Sequence, residues 1–309
     1  MKTVYLNKFM SSVVTELEMN GQYGTAHVCG SVLRSVMAFG GEGLPVSGIT
    51  PLWLKAYEGY LLHKGGKGLA WNTVSTYMRM LQAVYNRAVA RKLAAFIPHQ
   101  FRDVFTGRKA DHRRVLERDD MQKLLVEREP DITSPGMAWA RACLELMFRF
   151  HGMPFVDLAH LRKSDLKDGY LTLRRRKTGM PLSARVDGRA MQLLERYRNR
   201  DDTSPYLLCF LDGNLEGMAA YRDYQRILRL LNSRLRALAL WKKVQGKVTS
   251  YSARHTWATV GRYCHIPIEV ISEGLGHASV TTTEGYMKGF GNSRMDRANK
   301  VIMNYIFES

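Results

Sequence analysis

The chain has 309 residues, long enough for two cores, and its 45% hydrophobic and 24% charged content is that of a globular protein, not a disordered tail. Forty-six Lys and Arg against 28 Asp and Glu leave a formal +18, divided as +8 on residues 1–110 and +10 on the rest, so a polyanion touching both halves is the expected partner. Charge alone does not choose between DNA, RNA and a membrane surface. No apolar run reaches membrane-span length, and the first residues, broken by Asn7 and Lys8, are no secretion signal. Cys29, Cys143, Cys209 and Cys264 are scattered, which excludes a disulfide scaffold or a Cys-based zinc site and suits a reducing, cytoplasmic setting.

Taken in order, the first third predicts a bundle of about four helices. Residues 25–39 stop at Gly40-Gly41, and Thr50-Pro51 supply an N-cap and first turn for the next helix. After the glycine-rich turn at 65–68, Asn72 or Thr73 is expected to cap a helix with Tyr77, Met80, Leu81, Val84 and Tyr85 on one side. Arg79, Arg87, Arg91 and Lys92 either face DNA phosphates or are ordinary solvated helix faces. Residues 98–118 lose the pattern, which predicts a helical domain over 1–106, a basic linker over 107–114 containing Arg113 and Arg114, and a second domain over 115–309. That second domain is expected to be mainly α with a small antiparallel β insert. Helices are predicted at 137–151, from Val156 into the 160s, at 188–199 and at 220–241; two short strands flank a turn at Thr178-Gly179. Strand alternation sends Arg175 and Lys177 to one side, and Arg174 and Arg176 to the other.

The chemistry sits nearer the end. Breaking a phosphodiester by transesterification needs an in-line nucleophile, cations on the non-bridging oxygens and a proton donor for the leaving oxygen. Residues 250–290 supply Arg254, His255, His277 and Tyr286 in close order, with no carboxylate cluster or His-x-x-x-His pair to hold a metal.

Here the sequence resembles the tyrosine recombinases, or phage-type integrases. Tyr251-Ser252-Ala253-Arg254-His255, then Leu275-Gly276-His277, then Tyr286 nine residues on, follow that family's order of His-x-x-Arg-His, Leu-Gly-His and Tyr, with a Ser/Thr-rich stretch before the tyrosine. The resemblance implies a catalytic set of Tyr286 as nucleophile, Arg254 and His277 on the phosphate, and Lys177 of the Arg-Arg-Arg-Lys-Thr-Gly hairpin as general acid. It makes His255 more structural than catalytic. The C-terminal stretch Arg294 to Phe307, whose apolar spacing is helical, is implied to dock on a neighbouring protomer.

Two departures stand out. Tyr251 occupies the place of the family's histidine; its phenol can donate to a phosphate but is a poorer proton shuttle at neutral pH. Pro154, in Gly152-Met153-Pro154-Phe155-Val156-Asp157, occupies the place of the first arginine. Recombinases of the Bacteroides group carry a similar Gly-Met-x-Phe-x-Asp motif, and the displaced cation is expected upstream, at Arg149 or else His151. Asp157 is then either an orienting partner or a plain helix-start residue. The implied activity is site-specific DNA recombination on double-stranded DNA, for integration, excision or inversion in a mobile element or phage. It would run through a 3'-phosphotyrosyl link in a tetramer, with no cofactor, metal or ATP. Alternatives are a type IB topoisomerase-like enzyme, and a DNA-binding protein of recombinase descent that has lost activity.

Overall fold

The computed structural model describes residues 3–109, 115–125, 134–277 and 279–284. The chain divides into two compact units, Met1–Ala110 with Leu215–Tyr221, and Asp111–Asn214 with Arg222–Ser309.

Among its described residues the first unit holds the helices α1 (Leu6–Met19), α2 (Tyr23–Gly40), α3 (Pro51–His63) and α4 (Trp71–Ala90). Thr50 caps α3 as expected, its Oγ1 accepting from the Trp53 amide at 3.2 Å ahead of Pro51. The cap expected for α4 is not made, because Ala70 takes that position. Asn72 instead pairs its side-chain amide with both backbone groups of Lys109, each at 2.8 Å, and Ser75 Oγ donates to the Gly107 carbonyl at 2.6 Å. Residues 107–109 are therefore fastened along α4. Lys109 Nζ adds a cation–π contact, 4.2 Å from the Trp71 ring centroid. Leu54, Tyr57, Leu61, Val74, Met78 and Leu81 are buried at the centre, at the i, i+3, i+4 positions of α3 and α4.

The second unit contains α5 (Arg118–Leu125), α6 (Pro135–Arg149), α7 (Phe155–Ala159), a three-stranded antiparallel sheet of β1 (Leu166–Lys167), β2 (Tyr170–Arg174) and β3 (Pro181–Arg185), then α8 (Gly188–Arg196), α9 (Gly217–Trp241) from Arg222 onward, α10 (Ser252–Tyr263), α11 (Ile268–Leu275) and α12 (Val280–Glu284). Its core joins α6 (Cys143, Leu144, Met147) with Leu171, Leu193, Leu231 and Leu235.

Two expectations change. The helix expected from Val156 into the 160s stops at Ala159, because Leu161 leaves the helix to accept from the Leu207 amide at 2.7 Å and Asp165 accepts from the Arg162 amide at 2.8 Å. The hairpin strand stops at Arg174, three residues short of Lys177, to which alternation would have to carry it. Arg175 and Gly179 close the turn through Arg175 N to Met180 O at 2.9 Å and Gly179 N to Arg175 O at 2.8 Å. Arg175 and Lys177 consequently do not share a face: Arg175 turns inward and is 6% exposed, whereas Lys177 is exposed on the turn.

Candidate active site

The site is built at the C-terminal end of α11, where two arginines meet. Arg254, on the first turn of α10, is 2% exposed. Its Nη1 donates to the Gly152 carbonyl at 3.0 Å, and its Nη2 reaches the Leu275 carbonyl and His277 Nε2, both at 2.7 Å. Arg175 enters from the hairpin. Its Nη1 donates to the Leu275 carbonyl and, at 3.1 Å, to that of Gly276. One carbonyl thus receives both guanidinium groups. The end of a helix suits this, because its last carbonyls lack intrahelical donors and carry the negative end of the helix dipole.

Glycine is required at both close approaches. Gly276 caps α11 in the left-handed region at φ 61°, and a Cβ there would lie 2.6 Å from Arg175 Cδ. Gly152, at φ 67°, lets the α6–α7 turn pass so close to α10 that a Cβ would lie 2.9 Å from Arg254 Cα.

Asp157, 2% exposed on α7, fixes Arg175 from the other side: Oδ2 accepts from Arg175 Nε at 3.1 Å and Oδ1 from the Arg176 amide at 2.9 Å. It orients an arginine, and that arginine is Arg175 of the hairpin rather than the upstream Arg149. Arg149 points elsewhere. It donates to Glu145 Oε1 at 2.9 Å and to Asp187 Oδ2 at 2.7 Å. His151, also held at positive φ, lays its ring 5.7 Å from that of Trp257, and burial lowers its pKa.

His277 has a defined proton arrangement. A guanidinium has donors only, so Nε2 must accept from Arg254 and the neutral ring carries its proton on Nδ1, which donates to Thr283 Oγ1 at 2.8 Å. Burial first, then the charges of Arg254, Arg175 and Lys177, lower the His277 pKa to about 4. Lys177 is therefore within electrostatic reach of the imidazole. Tyr251, at the N-cap of α10, is exposed, with its ring 6.3 Å from that of His255. Tyr286, the stretch Arg294 to Phe307, Arg113 and Arg114 lie outside the described residues.

In the first unit, Arg91 pairs with Glu16 at 2.5 Å and Arg87 approaches the same carboxylate at 3.9 Å, so their charge is partly offset. Arg79 and Lys92 are exposed. Among the described residues no helix is long and apolar enough to cross a membrane, and no three His, Cys, Asp or Glu side chains are grouped to hold a metal ion.

A pH dependence follows from two half-buried histidines. His160, like His277, is held near pKa 4, chiefly by burial and then by Arg176. Both are neutral in the fold but take up protons in the unfolded chain below pH ~6.5. Their contribution to stability is complete above that value and is lost as pH falls from about 6.5 towards 4. The urea unfolding midpoint should fall across that window, and less steeply in His160→Gln.

These features define a class: a helical unit followed by a mainly helical unit whose α11 end gathers two arginines and a histidine, with an exposed lysine on the hairpin turn that supplies one of the arginines. Residues 5–102 match the model of the phage integrase SAM-like domain, and residues 114–290 match that of the phage integrase family. The chain belongs to the phage integrase, or tyrosine recombinase, family. It is 29% identical over 140 residues to the tyrosine recombinase XerA of Pyrococcus furiosus, covering 44% of this chain and 46% of that one, so the match spans about half the length of that relative. Solved structures share the fold, two of them integrases with DNA. The Tn1549 transposon integrase in complex with transposon right end DNA aligns with a TM-score of 0.66 at 16% identity, over 96% of this chain and 98% of the other. A lambda integrase tetramer bound to a Holliday junction aligns at 0.59 and 15% identity, over 93% and 78%.

Proposed function

We propose that this chain is a site-specific DNA recombinase that cuts and rejoins duplex DNA through a 3'-phosphotyrosyl link to Tyr286. The observation that carries the proposal is the meeting of Arg254, Arg175 and His277 at the end of α11, nine residues before Tyr286 in the chain. Arg175 and Arg254 hold the non-bridging oxygens of the scissile phosphate, where negative charge grows as Tyr286 attacks. Lys177, on the same turn as Arg175, protonates the departing 5' oxygen. The second cation thereby moves from Arg149 to Arg175: Arg149 is committed to Glu145 and Asp187, while Arg175 shares a carbonyl with Arg254. Pro154 is then no defect, since the charge it cannot supply arrives from the hairpin. The covalent link conserves the energy of the broken bond, so rejoining needs no ATP.

The Gly152-Met153-Pro154-Phe155-Val156-Asp157 motif supports a place among Bacteroides-group recombinases. By analogy with the lambda integrase tetramer, four protomers would hold two sites, residues 1–106 and 115–309 gripping the duplex from two domains joined by 107–114. The Arg294 to Phe307 stretch would dock on a neighbour, and Tyr251 would position the phosphate without transferring protons.

The test starts from a duplex selected by the protein from a random-sequence pool. The same sequence is rebuilt with a nick beside the cleavage point, so that the cut strand diffuses away. A denaturation-resistant protein–DNA adduct, with the nucleotide on the peptide containing Tyr286 in mass spectra, is the expected result. Selection of a duplex without any adduct would leave a DNA-binding protein and sink the enzyme reading.

A further inference from the structure

We infer that Thr283 is a positioning residue whose hydroxyl serves His277 in both of its neutral proton arrangements, so that the imidazole can exchange Arg254 for a DNA phosphate as its Nε2 partner. The inference rests on the phosphate-binding reading of the site. Thr283 is fully buried, and its Oγ1 lies 2.8 Å from His277 Nδ1 while Nε2 accepts from Arg254. In this arrangement Nε2 presents a lone pair. A phosphate oxygen arriving there would be repelled unless the ring carried its proton on Nε2 instead. The change leaves the ring's proton count unaltered, one proton leaving Nδ1 for water and one joining Nε2, but it turns Nδ1 into an acceptor. A hydroxyl meets both demands, accepting from Nδ1–H in the first arrangement and donating to Nδ1 in the second. A carboxylate or an ammonium would lock one arrangement. Thr283 is also the fourth residue of α12 and three residues before Tyr286, so the same bond ties His277 to the turn from which the tyrosine-bearing chain continues.

The experiment compares Thr283→Val, nearly isosteric but without the hydroxyl, and Thr283→Ser, which retains it. The readouts are the imidazole 15N shifts of His277, thermal melting, affinity for the selected duplex and the single-turnover rate of adduct formation. Wild type and Thr283→Ser should carry the proton on Nδ1 without DNA and on Nε2 with it. Thr283→Val should form adduct roughly ten- to a hundredfold more slowly, the factor expected when a buried hydrogen-bonding group loses its partner, with duplex affinity within about threefold of wild type. Wild-type rates in Thr283→Val, or a His277 that keeps its proton on Nδ1 in the DNA complex, would overturn the inference. If Thr283→Val does not fold, the wild-type shifts with and without duplex decide alone. Absence of adduct in wild type would defeat the recombinase reading, whereas the shifts would still report on Thr283.

Discussion

Arg175→Ala is expected to slow adduct formation by about 10²–10³-fold, the usual loss when one group stabilising transition-state charge is removed. Arg149→Ala should remain within about threefold. The contrast rests on where each guanidinium goes: Arg149 is a third exposed between Glu145 and Asp187, while Arg175 is buried beside Arg254. Removing Arg175 also strands Asp157, whose buried charge would cost about 3–5 kcal/mol without its partner. A drop in activity must therefore be separated from a drop in folding. Arg175→Lys does this, since it keeps the charge but loses the two-pronged geometry; it should melt near wild type yet remain at least tenfold slow. If Arg149→Ala is the slower variant, the assignment of the second cation is wrong.

Gly152→Ala should destabilise the second unit by about 3 kcal/mol or more, because it combines a left-handed backbone with a Cβ driven to 2.9 Å from Arg254 Cα. For a unit of this size that is a fall in Tm of roughly 6–12 °C. Gly188→Ala is the control. It opens α8 with nothing within 4 Å of the added Cβ, and should be neutral or slightly stabilising. Equal melting of the two variants would mean that the α6–α7 turn can retreat from α10, and that Arg254 is not held by a forced approach.

Much of this architecture was legible in the sequence. Apolar spacing and the Thr50-Pro51 start predicted the helices of the first unit, and Arg254, His277 and Tyr286 stood at family spacing. What escaped was set by tertiary contacts. Asn72 reads as a cap in isolation but spends its amide on Lys109, 37 residues away. Arg175 reads as a strand residue in a basic run, and only the closure of the turn by Met180 and Gly179 sends it inward to the α11 carbonyls. Its neighbours Arg174 and Arg176 carry the same charge, so composition offered no way to single it out. The nearest signal was Asp157: a carboxylate in an apolar segment implies a buried cation to match it, and the matching cation lies 18 residues downstream.

Arg175 and Lys177 stand two residues apart on one hairpin turn, whereas an arginine at position 154 would have belonged to a different element. A displacement of that turn would carry both charges away from Arg254 at once. A protomer with its hairpin withdrawn would thus lose both charges by one movement.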